Sequence, residues 1–171
     1  MPGYVIHLSV ANRYIEKHPE EIKDHNKFIE GVISPDGVTD KSITHYGPKS
    51  SKVNLKLFLE SNEINDDFNK GYFLHLVTDY LFYNRFLDYF SKDIYNDYDI
   101  LNNTLEEKYN VKIPEEVKNK VFYKTGETKI LNLESVIEFI EKTSEYKLEY
   151  IKQRVMENDI NWLQLKDLRK S

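Results

Sequence analysis

A histidine and an aspartate lie one helical turn apart in the otherwise hydrophobic stretch GYFLHLVTDYLFYNRF, at residues 71–86. Residues at positions i and i+4 of a helix share one face, with Cβ atoms about 5–6 Å apart. The imidazole of His75 and the carboxylate of Asp79 could therefore bind one divalent cation together. Gly71, one turn earlier on the same face, allows another group to approach the helix backbone closely. The alternatives are a buried His–Asp hydrogen bond and an aspartate that caps a neighbouring helix.

Three more polar residues occur in apolar or glycine-marked settings. Asp36 follows a proline in SPDG, His45 lies in THYG, and His7 falls on the apolar stripe of the first predicted helix. Each has an ordinary explanation, since Pro-Asp-Gly is typical of a turn, a loop histidine is usually exposed, and a core histidine usually has a hydrogen-bond partner. A shared metal would account for all of these residues at once, because unpaired polar groups are costly to bury.

The segment YNDYDILN adds acidic candidates. Asp99 is a candidate extra metal ligand, because hard oxygen ligands often complete a second metal site, and Asp97 ranks behind it. The alternative is a helix N-terminus lined with acids, which the helix dipole favours. His25 falls at helical spacing between isoleucines and is a further, lower-ranked candidate, whereas His18 is predicted to lie at the surface.

These residues need a scaffold, and the sequence predicts an all-α one. Apolar residues recur at helical spacing and no segment alternates with the period of two expected for a strand. We expect one domain over residues 1–171, a bundle of six to eight helices. Helices are predicted over 3–17, from Pro19 to Glu30, over 50–61 with Ser50 or Ser51 as cap, from Asn65, Asp66 or Asp67 to Phe90, over 93–109, from Pro114, over 132–156 as one helix, and after Asn158 or Asp159 with Trp162, Leu165 and Leu168. Residues 31–51 are predicted to form an irregular loop.

The composition narrows the function classes. A chain of 171 residues, of which 40% are apolar, can build one substantial core. The absence of cysteine excludes disulfides, thiolate metal sites and cysteine nucleophiles. A net charge of −5 with interspersed signs disfavours nonspecific nucleic-acid binding. The sequence shows neither a secretory signal nor an apolar run of about 20 residues, so we expect a cytoplasmic protein without a transmembrane segment.

The order of the candidate residues resembles the zinc-dependent phospholipase C-like family and, more distantly, the single-strand-specific zinc nucleases. The likeness covers about residues 1–90 and implies a helical phospholipase C/nuclease-like fold that hydrolyses a phosphate ester. It also implies that the metal ligands are His7, Asp36, His45, His75 and Asp79.

The chain departs from the pattern of that family in its later part. The secreted members begin at a processed tryptophan and carry later histidine ligands that complete a site for three zinc ions. No histidine follows His75 here, so we expect one or two ions, with Asp99 as a substitute ligand.

The predicted function is a metal-dependent hydrolase of phosphodiesters or phosphomonoesters that uses a water activated by the metal. Zinc is the first expectation, and mixed histidine and aspartate ligation also accepts manganese, iron or nickel. Asp36 is the candidate catalytic residue, because a loop carboxylate can bind or bridge metals or act as a general base. The expected partner is a small phosphorylated substrate or a phospholipid headgroup.

Other side chains are candidates for the substrate pocket. Tyr46, Tyr72 and Tyr83 could line it, and Lys49 or Arg85 could contact a phosphate. The alternative function is a non-catalytic helical interaction protein with a structural metal or a buried polar network.

Overall fold

The structure, a computed structural model, describes residues 3–87 and 90–158 as α-helices joined by turns and by irregular segments, the longest of them over 121–132, and these residues contain no β-strand. None of the described helices is both long enough and apolar enough to cross a bilayer. Short 3₁₀ turns lie at Ser34–Asp36, Ser50–Lys52 and Glu115–Lys120, and a π-helical turn at Phe82–Phe86. The α-helices are α1 (Gly3–Lys17), α2 (His25–Ile33), α3 (Lys41–His45), α4 (Leu55–Ser61), α5 (Asp67–Leu81), α6 (Asp93–Lys108), α7 (Leu133–Thr143) and α8 (Leu148–Met156).

Side-chain caps determine where several helices begin. The Asp24 carboxylate accepts the N–H of Lys27, so α2 begins at His25 and the predicted start at Pro19 was wrong. The Asn54 side chain caps α4, which therefore begins at Leu55 and not at residue 50. Asp66, one of the three predicted caps, accepts a backbone N–H at the start of α5. An Asn or Asp oxygen satisfies a donor that the first turn would otherwise leave unpaired.

Two predicted helices end or break earlier than expected. The helix predicted to reach Phe90 ends as α5 at Leu81 and continues only as the π-helical turn. The helix predicted over 132–156 is two helices, α7 and α8. The Tyr14 hydroxyl accepts the N–H of Leu148, which is the first residue of α8, at 3.0 Å. The predicted helix after residue 158 lies outside the described residues.

The predicted loop over residues 31–51 is more ordered than expected. Gly31, Val32 and Ile33 belong to the end of α2, and α3 interrupts the remainder. The side chain of Asp40 accepts the N–H of Ser42 and caps α3. The segment therefore presents residues to the interior from fixed helical positions.

Helix α5 is the central helix, because it contacts α1, α2, α4, α7 and α8. Its buried side chains surround it on all sides, as expected for a helix enclosed by others. Helices α2 and α5 approach closest at two glycines. A Cβ on Gly71 would lie 2.0 Å from the Phe28 carbonyl oxygen, and a Cβ on Gly31 would lie 2.0 Å from that of Phe68. The close backbone approach expected at Gly71 is confirmed, and the approaching group is α2.

Candidate metal centre

Five polar residues meet in the interior beside α5. His7 comes from α1, Asp36 from the 3₁₀ turn after α2, His45 from the end of α3, and His75 and Asp79 from α5. All are buried, with Asp36 the most exposed at 4%. We call these five residues the His/Asp cluster. Four of them, Asp36, His45, His75 and Asp79, each offer one ligand atom, and these atoms lie within 4.8 Å of one another. Ligands 2.0–2.2 Å from one ion lie at most about 4.4 Å apart, so the spacing is close to that of a metal site.

Backbone carbonyls orient two of the histidines. Nδ1 of His75 lies 2.6 Å from the carbonyl oxygen of Val32, and Nδ1 of His45 lies 3.1 Å from that of Lys41. A carbonyl can only accept, so Nδ1 is the donor in both rings. In the neutral rings, Nε2 then carries the lone pair and faces the cluster. Carbonyl partners of this kind are typical of metal-ligating histidines.

The distances within the cluster are short, but the directions do not suit hydrogen bonds. Asp79 Oδ2 lies 3.0 Å from Nε2 of His45 and 3.2 Å from Nε2 of His75, and its Oδ1 lies 3.1 Å from Nε2 of His7. None of these nitrogens and neither Asp79 oxygen has a hydrogen-bond partner of acceptable geometry. Buried polar atoms without partners are rare and costly. Their convergence is the arrangement that a shared cation would satisfy.

His7 completes the cluster from the side of α1. Its ring stacks on His75 with centroids 3.7 Å apart and planes within 3° of parallel. Burial lowers the pKa of His7, and the charge of His75 lowers it further. The His7 ring is therefore harder to protonate than a free histidine, and in its neutral form one ring nitrogen has a lone pair that can bind a metal.

The imidazoles of His45 and His75 and the carboxylates of Asp36 and Asp79 shift one another's pKa values. Burial lowers the pKa of His75, but the charges of Asp36 and Asp79 outweigh this and raise it to about 10. Burial likewise lowers the pKa of His45, and the same carboxylates reverse the effect, so the net shift is upward. Burial raises the pKa of both aspartates, yet the facing imidazoles hold it well below its usual range. Without a metal, the raised pKa of His75 favours a proton on that ring, which would offset part of the charge of the two carboxylates.

Two further side chains fix Asp36. Lys41 Nζ donates to Asp36 Oδ1 at 3.0 Å and to the Asp36 carbonyl at 3.2 Å. The Tyr4 hydroxyl donates to the same carbonyl at 3.1 Å. The sequence did not indicate Lys41 as a site residue. Its spacing of five residues from Asp36 becomes meaningful only once the 3₁₀ turn and α3 are known.

A cavity of about 390 Å³ adjoins the cluster on the Asp36 side, and Tyr98 of α6 forms part of its wall. We call it the Tyr98 cavity. Asp36 and Lys41 line it from the side of the cluster, and the exposed aromatics Tyr95 and Phe122 line it elsewhere. Asp36 therefore forms part of the wall of a cavity that could hold a small molecule.

The acidic candidates on α6 do not join the cluster. Asp99 lines the Tyr98 cavity, but its carboxylate lies 3.9 Å from Lys124 Nζ and is not one of the grouped ligands. Asp97 is fully buried and accepts the backbone N–H groups of Lys129, Ile130 and Leu131 at 2.7–2.9 Å. Asp97 therefore holds the 129–131 segment against α6.

The lower-ranked histidines also lie elsewhere. The side chain of His25 is exposed on α2. His18 is half-buried and lies 3.0 Å from the Ser144 carbonyl oxygen through Nε2. Neither histidine is among the ligand group found in the described residues.

The predicted pocket residues have other positions. Tyr72 donates to the Thr44 carbonyl at 2.6 Å and so supports the segment that carries His45. Tyr46 packs against Phe58 and accepts from the Asn62 amide. None of Tyr46, Tyr72, Tyr83, Lys49 and Arg85 lines the Tyr98 cavity.

Comparison with known proteins finds no significant match to this chain among protein-family models, curated proteins or solved structures. The function is therefore proposed below from the His/Asp cluster, the all-helical fold and the order of the cluster residues in the sequence.

Proposed function

We propose that this protein is a metal-dependent hydrolase of phosphate esters, with zinc as the first expectation for the metal. The observation that carries the proposal is the buried His/Asp cluster, whose unpartnered nitrogens and oxygens come from four separate elements. Imidazole and carboxylate are the donors that zinc accepts in catalytic sites, and manganese, iron or nickel would also suit them. The resemblance of the residue order to the zinc-dependent phospholipase C-like family supports the same class.

The cluster residues have separable roles in this proposal. His7, His45, His75 and Asp79 would hold the cation, and the Val32 and Lys41 carbonyls would keep two of the rings oriented. A bound divalent cation would supply Lewis-acid chemistry, lowering the pKa of a water and offsetting phosphate charge. Asp36 is the cluster member that lines the Tyr98 cavity, which supports a role in which it would ligate the cation or take a proton as general base. Lys41 would hold Asp36 in position and add positive charge.

The proposal is tested by metal content and turnover of the purified protein. We expect about one equivalent of zinc in the wild type, and zinc-dependent release of nitrophenol from p-nitrophenyl phosphate or bis(p-nitrophenyl) phosphate. His75→Ala should lose both, whereas His25→Ala, an exposed histidine on α2, should keep both. Equal metal content and turnover in these two variants would overturn the proposal.

A second candidate is a non-catalytic helical protein with a structural metal or a buried ionic network. Two observations favour it: the cluster is almost fully buried, and its two carboxylates can be balanced by two protonated imidazoles. A structural site has no need of an open ligand position. Zinc that raises the melting temperature without any turnover would select the structural metal, and no effect of either zinc or chelator would select the ionic network.

A further inference from the structure

The hydroxyl of Thr44 lies between two segments that supply residues to the His/Asp cluster. Thr44 Oγ1 is 2.9 Å from Nδ1 of His45, the next residue in α3. It is also 2.8 Å from the carbonyl oxygen of Pro35, in the 3₁₀ turn that carries Asp36. One side chain therefore joins the element that supplies His45 to the element that supplies Asp36.

The protons available to these atoms fix the direction of each hydrogen bond. The Pro35 carbonyl can only accept, so the single hydroxyl proton of Thr44 is donated to it. The Lys41 carbonyl, 3.1 Å from Nδ1 of His45, also can only accept, so Nδ1 carries a proton. The Thr44 oxygen then accepts from that same Nδ1–H. The opposite arrangement, in which Thr44 donates to Nδ1, would place acceptor against acceptor at both carbonyls.

The tautomer of the His45 ring follows from this arrangement. A neutral imidazole that carries its proton on Nδ1 has its lone pair on Nε2. Nε2 of His45 lies 3.0 Å from Asp79 Oδ2 and 3.4 Å from Asp36 Oδ1, inside the cluster. The ring thus presents to the cluster the nitrogen through which it can bind a cation.

The position of α3 depends on neighbouring elements. A helix of five residues has little stability of its own, so contacts from outside must hold it in place. The Tyr72 hydroxyl of α5 donates to the Thr44 carbonyl at 2.6 Å. The Thr44 side chain supplies a second anchor, to the Pro35 carbonyl. His45 therefore depends on Thr44 for its position as well as for its tautomer.

We propose that Thr44 is a positioning residue of the metal centre, whose hydroxyl holds the His45 ring with Nε2 towards the cation and holds α3 against the turn that carries Asp36. This inference rests on the proposed function, because it takes His45 to be a metal ligand. Removal of such a partner typically weakens metal binding by about 10–100-fold. Because the Lys41 carbonyl keeps its share of the Nδ1 proton, we expect the lower end of this range.

Zinc competition with a chromophoric chelator tests the role of Thr44 with three variants. Thr44→Val keeps the shape of the side chain, removes the hydroxyl and should weaken zinc binding about tenfold. Thr44→Ser restores the hydroxyl and should bind zinc within about threefold of the wild type. Thr78→Val is the matched control, because Thr78 precedes Asp79 but its hydroxyl donates to the Leu74 carbonyl of its own helix, at 2.7 Å. It should also stay within about threefold of the wild type.

The imidazole resonances of His45 give a readout that a general loss of stability would not move. Proton–nitrogen correlation spectra should place a proton on Nδ1 in the wild type, with a chemical shift that changes in Thr44→Val and returns in Thr44→Ser. An unprotonated Nδ1, or the same Nδ1–H shift in the wild type and Thr44→Val, would overturn the inference. The wild-type spectrum decides the tautomer even if Thr44→Val fails to fold.

The two measurements separate this inference from the proposed function. Zinc binding with equal affinities for Thr44→Val and Thr78→Val would leave the metal centre intact and overturn the role of Thr44. A wild type that binds no zinc, but whose His45 Nδ1–H shift depends on the Thr44 hydroxyl, would contradict the proposed function and support the orienting contact.

Discussion

The contact between α2 and α5 gives the most specific prediction, through Gly71→Ala. The new methyl carbon would lie 2.0 Å from the Phe28 carbonyl oxygen and 3.0 Å from the nitrogen of Val32. Both neighbours are backbone atoms of a helix, so no side-chain rotation can relieve the overlap. Ordinary contact begins near 3.4 Å, and the two helices must therefore shift by on the order of 1 Å.

That shift acts on the cluster as well as on the core. The Val32 carbonyl that accepts from His75 lies next to the contact, and its present distance is 2.6 Å. A displacement of about 1 Å would leave this bond outside hydrogen-bonding range. Loss of such a partner of a ligating histidine typically costs about 10–100-fold in metal affinity.

The expected loss of stability is moderate. Overpacking a well-packed contact costs about 1–3 kcal/mol. Alanine recovers up to about 1 kcal/mol through its higher helix propensity. We therefore expect Gly71→Ala to lower the free energy of unfolding by about 1–2 kcal/mol and to weaken zinc binding at least about tenfold.

Urea unfolding followed by circular dichroism and competition with a chromophoric chelator measure the two effects. Gly37→Ala is the matched control, because a Cβ there meets only the Ser34 carbonyl oxygen at 3.4 Å and its φ of −78° suits alanine. Wild-type stability and zinc affinity in Gly71→Ala would refute the reasoning.

The remaining predictions concern charge. Asp97→Asn should lower the free energy of unfolding by about 2–3 kcal/mol, because the amide cannot accept hydrogen bonds from all three backbone N–H groups. The zinc content should be unchanged, and a loss of zinc would contradict this prediction. Asp99→Asn should change neither the zinc stoichiometry nor the melting temperature appreciably, and a lost equivalent of zinc would instead support Asp99 as a ligand. Zinc affinity should rise by up to about tenfold per pH unit between pH 7 and 9, because zinc must displace the proton from His75, whose pKa is about 10. An affinity that stays constant in zinc titrations at several pH values would refute this. In the metal-free protein, protonation of His75 should add to the free energy of unfolding. This contribution should be complete below about pH 6.5 and should be lost as the pH rises to about 10. Urea unfolding that shows no decline in the free energy of unfolding across this range would contradict the prediction.

Local patterns predicted part of this fold well. The apolar spacing of residues 3–17 predicted α1 with the bounds that the structure shows, and His7 faces inward as expected. The start of α5 was predicted to within three residues, and Asp66 is the one of the three candidate caps that accepts a backbone N–H there. In these cases the determining interactions lie within one helix, where the sequence displays them directly.

Long-range contacts set the features that the sequence did not reveal. The separation of α7 from α8 has no glycine or proline to mark it, and both helices continue one apolar stripe. The Tyr14 hydroxyl, 134 positions away in the chain, accepts the first N–H of α8. A pattern confined to residues 132–156 contains no trace of that contact.

The candidate site was likewise predictable within one helix and less so where separate elements meet. The spacing of His75 and Asp79 predicted their shared face. The arrival of His7, Asp36 and His45 was expected from their apolar or glycine-marked settings and from the order of the motifs. Lys41 was missed because a lysine in a predicted loop is usually a surface residue. Its bond to the Asp36 carboxylate becomes visible only once the 3₁₀ turn and α3 are in place.

Anomalous scattering at the zinc edge, from crystals of the zinc-saturated protein, tests the shared cation most directly. We predict a peak inside the His/Asp cluster, about 2.0–2.2 Å from imidazole nitrogens and carboxylate oxygens that include those of His75 and Asp79. A zinc-saturated protein with no peak there, and with the imidazoles hydrogen-bonded directly to the carboxylates, would contradict the metal centre.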